Sequence, residues 1–118
     1  MKKTFFTIVA TMCLFIIHDG FAKIKLPAIL SSNMVLQRNA SVKLWGWAKP
    51  SEKITIKTSW LTKSVMVMPN ENGRWEVVVL TTLSKEPQTI HFKSAESNIK
   101  LENVLFGEVW VCSGQSNM

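Results

Sequence analysis

The sequence contains no tyrosine and little of several residue types that define particular protein classes. Five glycines and four prolines are too few for a collagen-like or low-complexity chain, and two cysteines are too few for a disulfide scaffold. Two histidines leave few candidates for histidine-dependent catalysis. Because 47% of the 118 residues are apolar and only 19% are charged, the composition is that of a small domain with a hydrophobic core.

The first 22 residues have the three-part pattern of a secretory signal peptide. Two lysines follow the initial methionine, residues 4–17 carry no charge, and the small residues Gly20 and Ala22 mark a cleavage position. The uncharged run is too short to span a membrane, which takes about 20 residues. We therefore predict that residues 1–22 are a signal peptide and that the protein is exported to the periplasm or the medium, with no membrane segment after cleavage. A buried N-terminal helix and a lipid anchor at Cys13 fit this pattern less well.

Positive charge is spread along the chain and is not clustered. Removing residues 1–22 takes away two lysines and one aspartate, so the net charge falls from +6 to +5. The sequence has no run of five basic residues and no nucleic-acid-binding motif. We expect the lysines to lie on solvated strand faces and expect no nucleic-acid partner.

Apolar residues after position 23 recur with a period of two, which indicates half-buried β-strands. This alternation covers residues 42–48, 54–60, 65–68, 74–80, 89–93 and 99–103. Turn residues separate these segments, and Asn72-Gly73 favours a tight hairpin between the strands on either side. Between residues 23 and 106 no segment has the period of an amphipathic helix. We therefore predict an all-β sandwich, antiparallel and with about 6–8 short strands, for residues 23–106.

The pattern changes in residues 107–118. Residues 108–112 form a compact, mostly apolar run, and residues 113–117 are small and polar. A short buried strand that leads into a Gly-x-Ser turn is how several hydrolase folds present a serine. Gly114 would allow a sharp turn, and the N–H of Ser116 at a helix start would point at an oxyanion. Gly-x-Ser alone is also common in surface turns.

Three segments carry a resemblance to a known family. Residues 26–37 (LPAILSSNMVLQ) look like its opening segment, and residues 42–52 (VKLWGWAKPSE) look like its first well-marked strand and turn, with Ser51 where glycine is more usual. Residues 103–118 (NVLFGEVWVCSGQSNM) look like its nucleophile block and are the most specific of the three. Together these segments resemble the sialate O-acetylesterase family, esterases of the SGNH-hydrolase type.

The resemblance implies a β-sandwich followed by a flavodoxin-like α/β esterase domain, of which residues 107–118 would be the first strand and the nucleophile turn. It implies hydrolysis of O-acetyl esters on sialic acid or related sugars. Ser116 is then the catalytic nucleophile, and its backbone N–H is one donor of the oxyanion hole. We expect no cofactor and no metal ion, and we expect the sandwich to pack on the esterase domain.

Family members supply the rest of the oxyanion hole and the catalytic histidine with its acidic partner from later blocks. A serine also needs an adjacent base to attack an ester at neutral pH. Neither His18, in the predicted signal peptide, nor His91 suits that role. We therefore expect the sequence to be a truncated N-terminal part of a longer secreted enzyme and to be inactive by itself.

The other residues with suggestive chemistry have simpler interpretations. His91 lies on the polar side of a predicted strand, where we expect a solvated surface residue. Trp45 and Trp47 could stack on a sugar, but such pairs more often pack at a sheet face or a domain interface. Cys112 has no basic neighbour in sequence and is expected to be a small buried residue. Glu108 is expected to be a carboxylate at a domain junction.

Two alternatives to a sialate esterase remain open at this point. An acetylxylan-type carbohydrate esterase would have a similar nucleophile block, and the loops that select the sugar would lie downstream. A freestanding secreted β-sandwich could bind glycans or a partner domain. An apolar strand followed by Gly-Gln-Ser-Asn-Met favours the enzyme over the binding module.

Overall fold

The computed structural model describes residues 23–110, which form seven β-strands and no helix. The strands are β1 (Val35–Gln37), β2 (Ser41–Trp47), β3 (Ile54–Thr58), β4 (Val65–Val67), β5 (Arg74–Leu80), β6 (Gln88–Lys93) and β7 (Asn98–Gly107). The prediction of an all-β chain with six to eight strands is therefore confirmed for these residues. None of them belongs to a helix that is long and apolar enough to cross a membrane. The predicted signal peptide and nucleophile turn lie outside the described residues.

The strands form two sheets. One has five strands in the order β1-β7-β6-β3-β4, and the other pairs β2 with β5. All neighbours are antiparallel except β1 and β7, which run parallel. The parallel pair is a departure from the predicted antiparallel arrangement. Parallel neighbours need a long connection between them, and here the three-residue β1 pairs with a segment 70 positions later in the sequence.

Both sheets contribute to a single hydrophobic core. Trp75 of β5 packs against Phe92 of β6, with ring centroids 5.7 Å apart, so this contact links the two sheets. The fully buried side chains are those of Leu44, Ile54, Ile56, Trp75, Val79, Ile90, Phe92 and Val104. Their alternation along each strand is what the period of two in the sequence predicts.

The two-stranded sheet packs closely because β2 has a glycine as its penultimate residue. A Cβ atom on Gly46 would lie 2.5 Å from the carbonyl oxygen of Lys25 and 2.9 Å from the indole of Trp75. Lys25 forms a bridge with Trp47, so its carbonyl cannot shift without breaking backbone hydrogen bonds. The glycine between the two tryptophans of β2 therefore allows the largest core side chain to lie against the backbone.

The prediction of a hairpin at Asn72-Gly73 is wrong. Gly73 has a positive φ of 77°, as a tight turn requires, but β4 pairs with β3 and β5 pairs with β2. The turn therefore carries the chain from one sheet to the other. Asn70 closes it, because its side-chain oxygen accepts hydrogen bonds from the N–H groups of Asn72 and Arg74.

The predicted strand at residues 54–60 ends at Thr58. Trp60 lies in the turn that follows, where its ring packs edge-on against Phe106 at 4.8 Å. Its indole N–H donates to the carbonyl oxygen of Leu80 at 2.7 Å. Trp60 thus ties the end of β5 to the end of β7, which is the end of the domain from which the chain continues toward Ser116.

Candidate functional site

Ser116 and Cys112, the residues that the sequence places in and beside the nucleophile turn, lie outside the described residues. The structure describes the chain up to Trp110, six positions before Ser116. Residues 108–110 follow β7 directly and are not in a strand, and the Trp110 side chain is 82% exposed. The described part of the candidate site is therefore the segment that leads to the serine, with the residues that hold this segment.

A bulge in β7 sets the direction of this segment. The pairing of β6 with β7 shifts register between Gln88 and Ile90, where β7 has one residue more than β6. Asn103 takes up this extra residue with a positive φ of 54°. Its side-chain amide donates to the side-chain oxygen of Asn33 at 2.9 Å, and the Asn33 N–H donates to the carbonyl of Glu102 at 2.9 Å. The segment before β1 therefore holds the bulge.

The last pair between β7 and β6 is Val104 with Gln88, and from Leu105 onward β7 pairs with β1. The register matches Val35 with Leu105 and Gln37 with Gly107. Because the two strands run parallel, the residues that follow each strand emerge at the same edge. This pairing explains why Arg38 lies next to Glu108.

Two residues at the end of β1, Gln37 and Arg38, form hydrogen bonds with the chain where β7 ends. Arg38 Nε donates to Glu108 Oε1 at 2.6 Å, and Gln37 Nε2 donates to Glu108 Oε2 at 3.1 Å. Gln37 Oε1 accepts the backbone N–H of Val109 at 2.8 Å, and the Arg38 N–H donates to the Gly107 carbonyl at 2.9 Å. We call Gln37, Arg38 and Glu108 the exit clamp.

Glu108 is ionised in this arrangement. Hydrogen bonds from the Gln37 amide and the Arg38 guanidinium, with the positive charge of Arg38, lower the pKa of the Glu108 carboxyl below its usual value. A carboxyl with a lowered pKa contributes stability above its ordinary pKa, and that contribution is lost as the pH falls through its folded-state pKa. The exit clamp is therefore complete near neutral pH and weakens in acid.

The loop after β1 is itself held in place by Thr81. The buried Thr81 hydroxyl donates to the Gln37 carbonyl at 2.6 Å and accepts the Ala40 N–H at 3.0 Å. The Thr81 N–H also donates to the Ala40 carbonyl at 2.9 Å. The backbone that carries Gln37 and Arg38 is therefore fixed to the end of β5, which lies in the other sheet.

Exposed apolar side chains lie beside and within the segment that follows β7, and we call them the apolar rim. Ile29, Val35 and Val109 are exposed and line one groove of about 340 Å³, together with parts of β1 and β2. Trp110 follows Val109 directly and is almost fully exposed. Clusters of exposed apolar side chains of this kind are typical of contact surfaces.

Trp45 and Trp47 do not form a flat platform. Their rings are edge-on, 79° apart, and the guanidinium of Arg74 lies 4.8 Å from the centroid of the Trp45 ring. Trp45 is half-buried and Trp47 is 37% exposed. This geometry favours the interpretation of packing at a sheet face over that of a sugar-stacking surface.

His91 lies on β6 in the middle of the five-stranded sheet. It is paired with Lys57 of β3 and Lys100 of β7, and its ring is hydrogen-bonded to the side chain of Asn98. The expected position on the polar side of a strand is confirmed, although the residue is half-buried rather than fully solvated. Within residues 23–110 no group of three or more His, Cys, Asp and Glu side chains is placed to hold a metal ion.

Sequence reasoning missed Gln37 and Arg38 as residues of the site. The available signal was two polar side chains directly after the apolar pair Val35-Leu36, at the end of a segment that resembles the family. Nothing in the sequence indicated that they contact a segment 70 residues away. Glu108 was expected at a domain junction, and the structure places it in the exit clamp directly after β7.

Comparisons with known proteins agree with the family resemblance. The sialate O-acetylesterases of Homo sapiens and Pongo abelii are each 28% identical to this chain over 103 residues, which is 80% of the chain and 20% of either relative. The Mus musculus sialate O-acetylesterase is 27% identical, also over 80% of the chain. The chain thus spans about a fifth of the length of these relatives. No family model matches the sequence.

The fold is also similar to that of a solved enzyme. A crystal structure of a carbohydrate acetylesterase from Xanthomonas citri superimposes with a TM-score of 0.68 and 26% sequence identity. The match covers 74% of this chain and 20% of that enzyme. The predicted resemblance is therefore confirmed: in sequence this chain is similar to sialate O-acetylesterases, and in fold to a carbohydrate acetylesterase.

Proposed function

We propose that the full-length protein is an exported carbohydrate O-acetylesterase that removes acetyl groups from sialic acid or a related sugar. The observation that carries the proposal is the similarity to sialate O-acetylesterases over 80% of the chain. The match in fold to a carbohydrate acetylesterase supports it independently of the substrate. Residues 23–106 form the N-terminal sandwich in this proposal, and residues 107–118 begin the esterase domain.

Ser116 is the proposed nucleophile. Its hydroxyl attacks the acetyl carbonyl and gives a tetrahedral oxyanion, which collapses to an acetyl-serine as the sugar hydroxyl leaves with a proton. Water then releases acetate and restores the serine. The Ser116 N–H donates to the oxyanion, and the base comes from a part of the protein beyond residue 118. His91 is a poor candidate for the base because it lies within β6 and is hydrogen-bonded to Asn98.

The apolar rim supports a contact between the sandwich and the esterase domain. Val35, Val109 and Trp110 expose large apolar surfaces beside the exit of the chain. In this proposal the esterase domain begins at residue 107, so it starts beside this rim. We propose that it covers the rim and shields these side chains from water.

Export follows from the composition of residues 1–22. We expect cleavage after Ala22, because a basic start, an uncharged run and small residues at the cleavage position are what signal peptidase requires. N-terminal sequencing of the protein recovered from the periplasm or the medium should begin at Lys23. Recovery of an intact N-terminus from the cytosol would contradict export.

The substrate is tested on the full-length protein by release of acetate. We expect acetate from O-acetylated sialic acid in excess of that from acetylated xylan. Release from xylan alone would identify the acetylxylan type of esterase. Binding of either glycan with no release of acetate would overturn the enzyme proposal and favour a binding module.

A further inference from the structure

We propose that the exit clamp is a positioning device for the nucleophile-bearing segment, with Gln37 and Arg38 as positioning residues for Ser116. This inference rests on the proposed function. The contacts between the end of β1 and residues 107–109 would then affect catalysis at Ser116. Ser116 follows Val109, the last residue that the clamp holds, by seven positions.

The clamp holds three consecutive residues of one segment. Gln37 and Arg38 together form four hydrogen bonds to Gly107, Glu108 and Val109, at distances between 2.6 and 3.1 Å. Two of these bonds involve backbone groups of the segment itself, so they fix the path of the chain and not only one side chain. Both carboxylate oxygens of Glu108 have a separate donor.

The geometry is more than an isolated surface ion pair. The side chains of Arg38 and Glu108 are each 49% exposed, and an isolated ion pair with that exposure contributes little to stability. The backbone of Gln37 is itself fixed, because the buried Thr81 hydroxyl at the end of β5 donates to the Gln37 carbonyl. The clamp thus fixes, relative to the core, a segment that has no strand partner after Gly107 among the described residues.

Such contacts would affect catalysis through the orientation of Ser116. A displacement of about 1 Å at a reacting group can cost about 100-fold in rate even when the change is far from the chemistry. Loss of the clamp is expected to move or loosen residues 107–116 without removing any group that binds the sugar. The effect should therefore fall on kcat rather than on KM.

The test uses full-length protein with the variants Gln37→Leu and Arg38→Met, alone and together. Leucine and methionine keep the bulk of the side chains but remove the charge and the three hydrogen bonds that these side chains form. The backbone hydrogen bond from Arg38 to Gly107 is retained. Lys100→Met is the matched control, because Lys100 also forms an exposed ion pair on β7, at 3.4 Å from Glu102, but it does not touch residues 107–109. Arg38→Lys tests rescue by a conserved charge.

Three measurements are made: the kinetics of acetate-ester hydrolysis (kcat and KM), thermal unfolding (the midpoint), and deuterium uptake of a peptide that covers residues 107–116. In the double variant we expect kcat to fall about 10-fold or more, KM to stay within about twofold, and uptake in this peptide to rise. Arg38→Lys should keep most of the kcat that Arg38→Met loses, because it retains the positive charge opposite Glu108. The Lys100→Met control should match the wild type in all three.

Unchanged kcat and uptake in the double variant would overturn the inference. A fall in the unfolding midpoint with equal increases in uptake across the sandwich would also overturn it, because the clamp would then only stabilise the fold. The proposed function fails separately, if Ser116→Ala retains full activity. In that case the uptake of residues 107–116 still decides whether the clamp orders the segment.

Discussion

Replacement of Ser116 by alanine in the full-length protein is expected to abolish esterase activity on acetylated sugars. Loss of a nucleophile in a serine hydrolase lowers kcat by about 10⁴- to 10⁶-fold, and what remains comes from substrate binding and the oxyanion hole. The change removes a single oxygen atom from a segment that the sequence predicts to be a polar turn, so the fold should be retained. The measurement is kcat/KM for acetate release, together with a circular dichroism spectrum that matches the wild type.

Cys112→Ser is the control for this experiment, because it changes a neighbouring side chain that we assign to packing. It should lower kcat far less than Ser116→Ala does. The 118-residue chain alone should hydrolyse simple acetate esters no faster than its own Ser116→Ala variant, since under the proposed function it supplies one oxyanion donor and no positioned base. Serine-dependent turnover by the short chain would leave His91 as the only candidate base in its mature part and would contradict our placement of that residue.

The strands were predictable because their alternation has one physical cause. Trp75, Val77 and Val79 are buried on one face of β5, and the residues between them are exposed, as the period of two requires. The same pattern marks β3 and β6. The apolar residues Val78 and Leu80 obscure it, because both are about 60% exposed although their side chains are hydrophobic.

The sheet partners and the exit clamp were not predictable from local sequence. β1 has only three residues, too few for a period to be recognised, and its partner lies 70 positions away. Asn103 interrupts the pattern of β7 with a left-handed conformation that its local sequence does not require. Pairing at such a distance depends on the whole fold, so the contacts of Gln37 and Arg38 become visible only in three dimensions.

A large loss of stability is expected for Leu44→Ala in the mature chain. Leu44 is fully buried on β2 opposite Val77, and its side chain belongs to the core that joins the two sheets. Truncation of a buried leucine to alanine costs about 2–5 kcal/mol, from the lost burial and from the cavity that remains. This is a large part of the stability of a small domain, so the unfolding midpoint in urea should shift to a much lower concentration.

Leu80→Ala provides the matched control, since it makes the same chemical change in the same two-stranded sheet. The Leu80 side chain is 61% exposed, and its structural hydrogen bond to Trp60 involves the backbone carbonyl, which the substitution retains. Its effect should stay within about 0.5 kcal/mol. Equal losses for the two variants would mean that Leu80 is covered in the folded protein. The exposed face of the two-stranded sheet would then be a contact surface, and the core would not be confined to the space between the sheets.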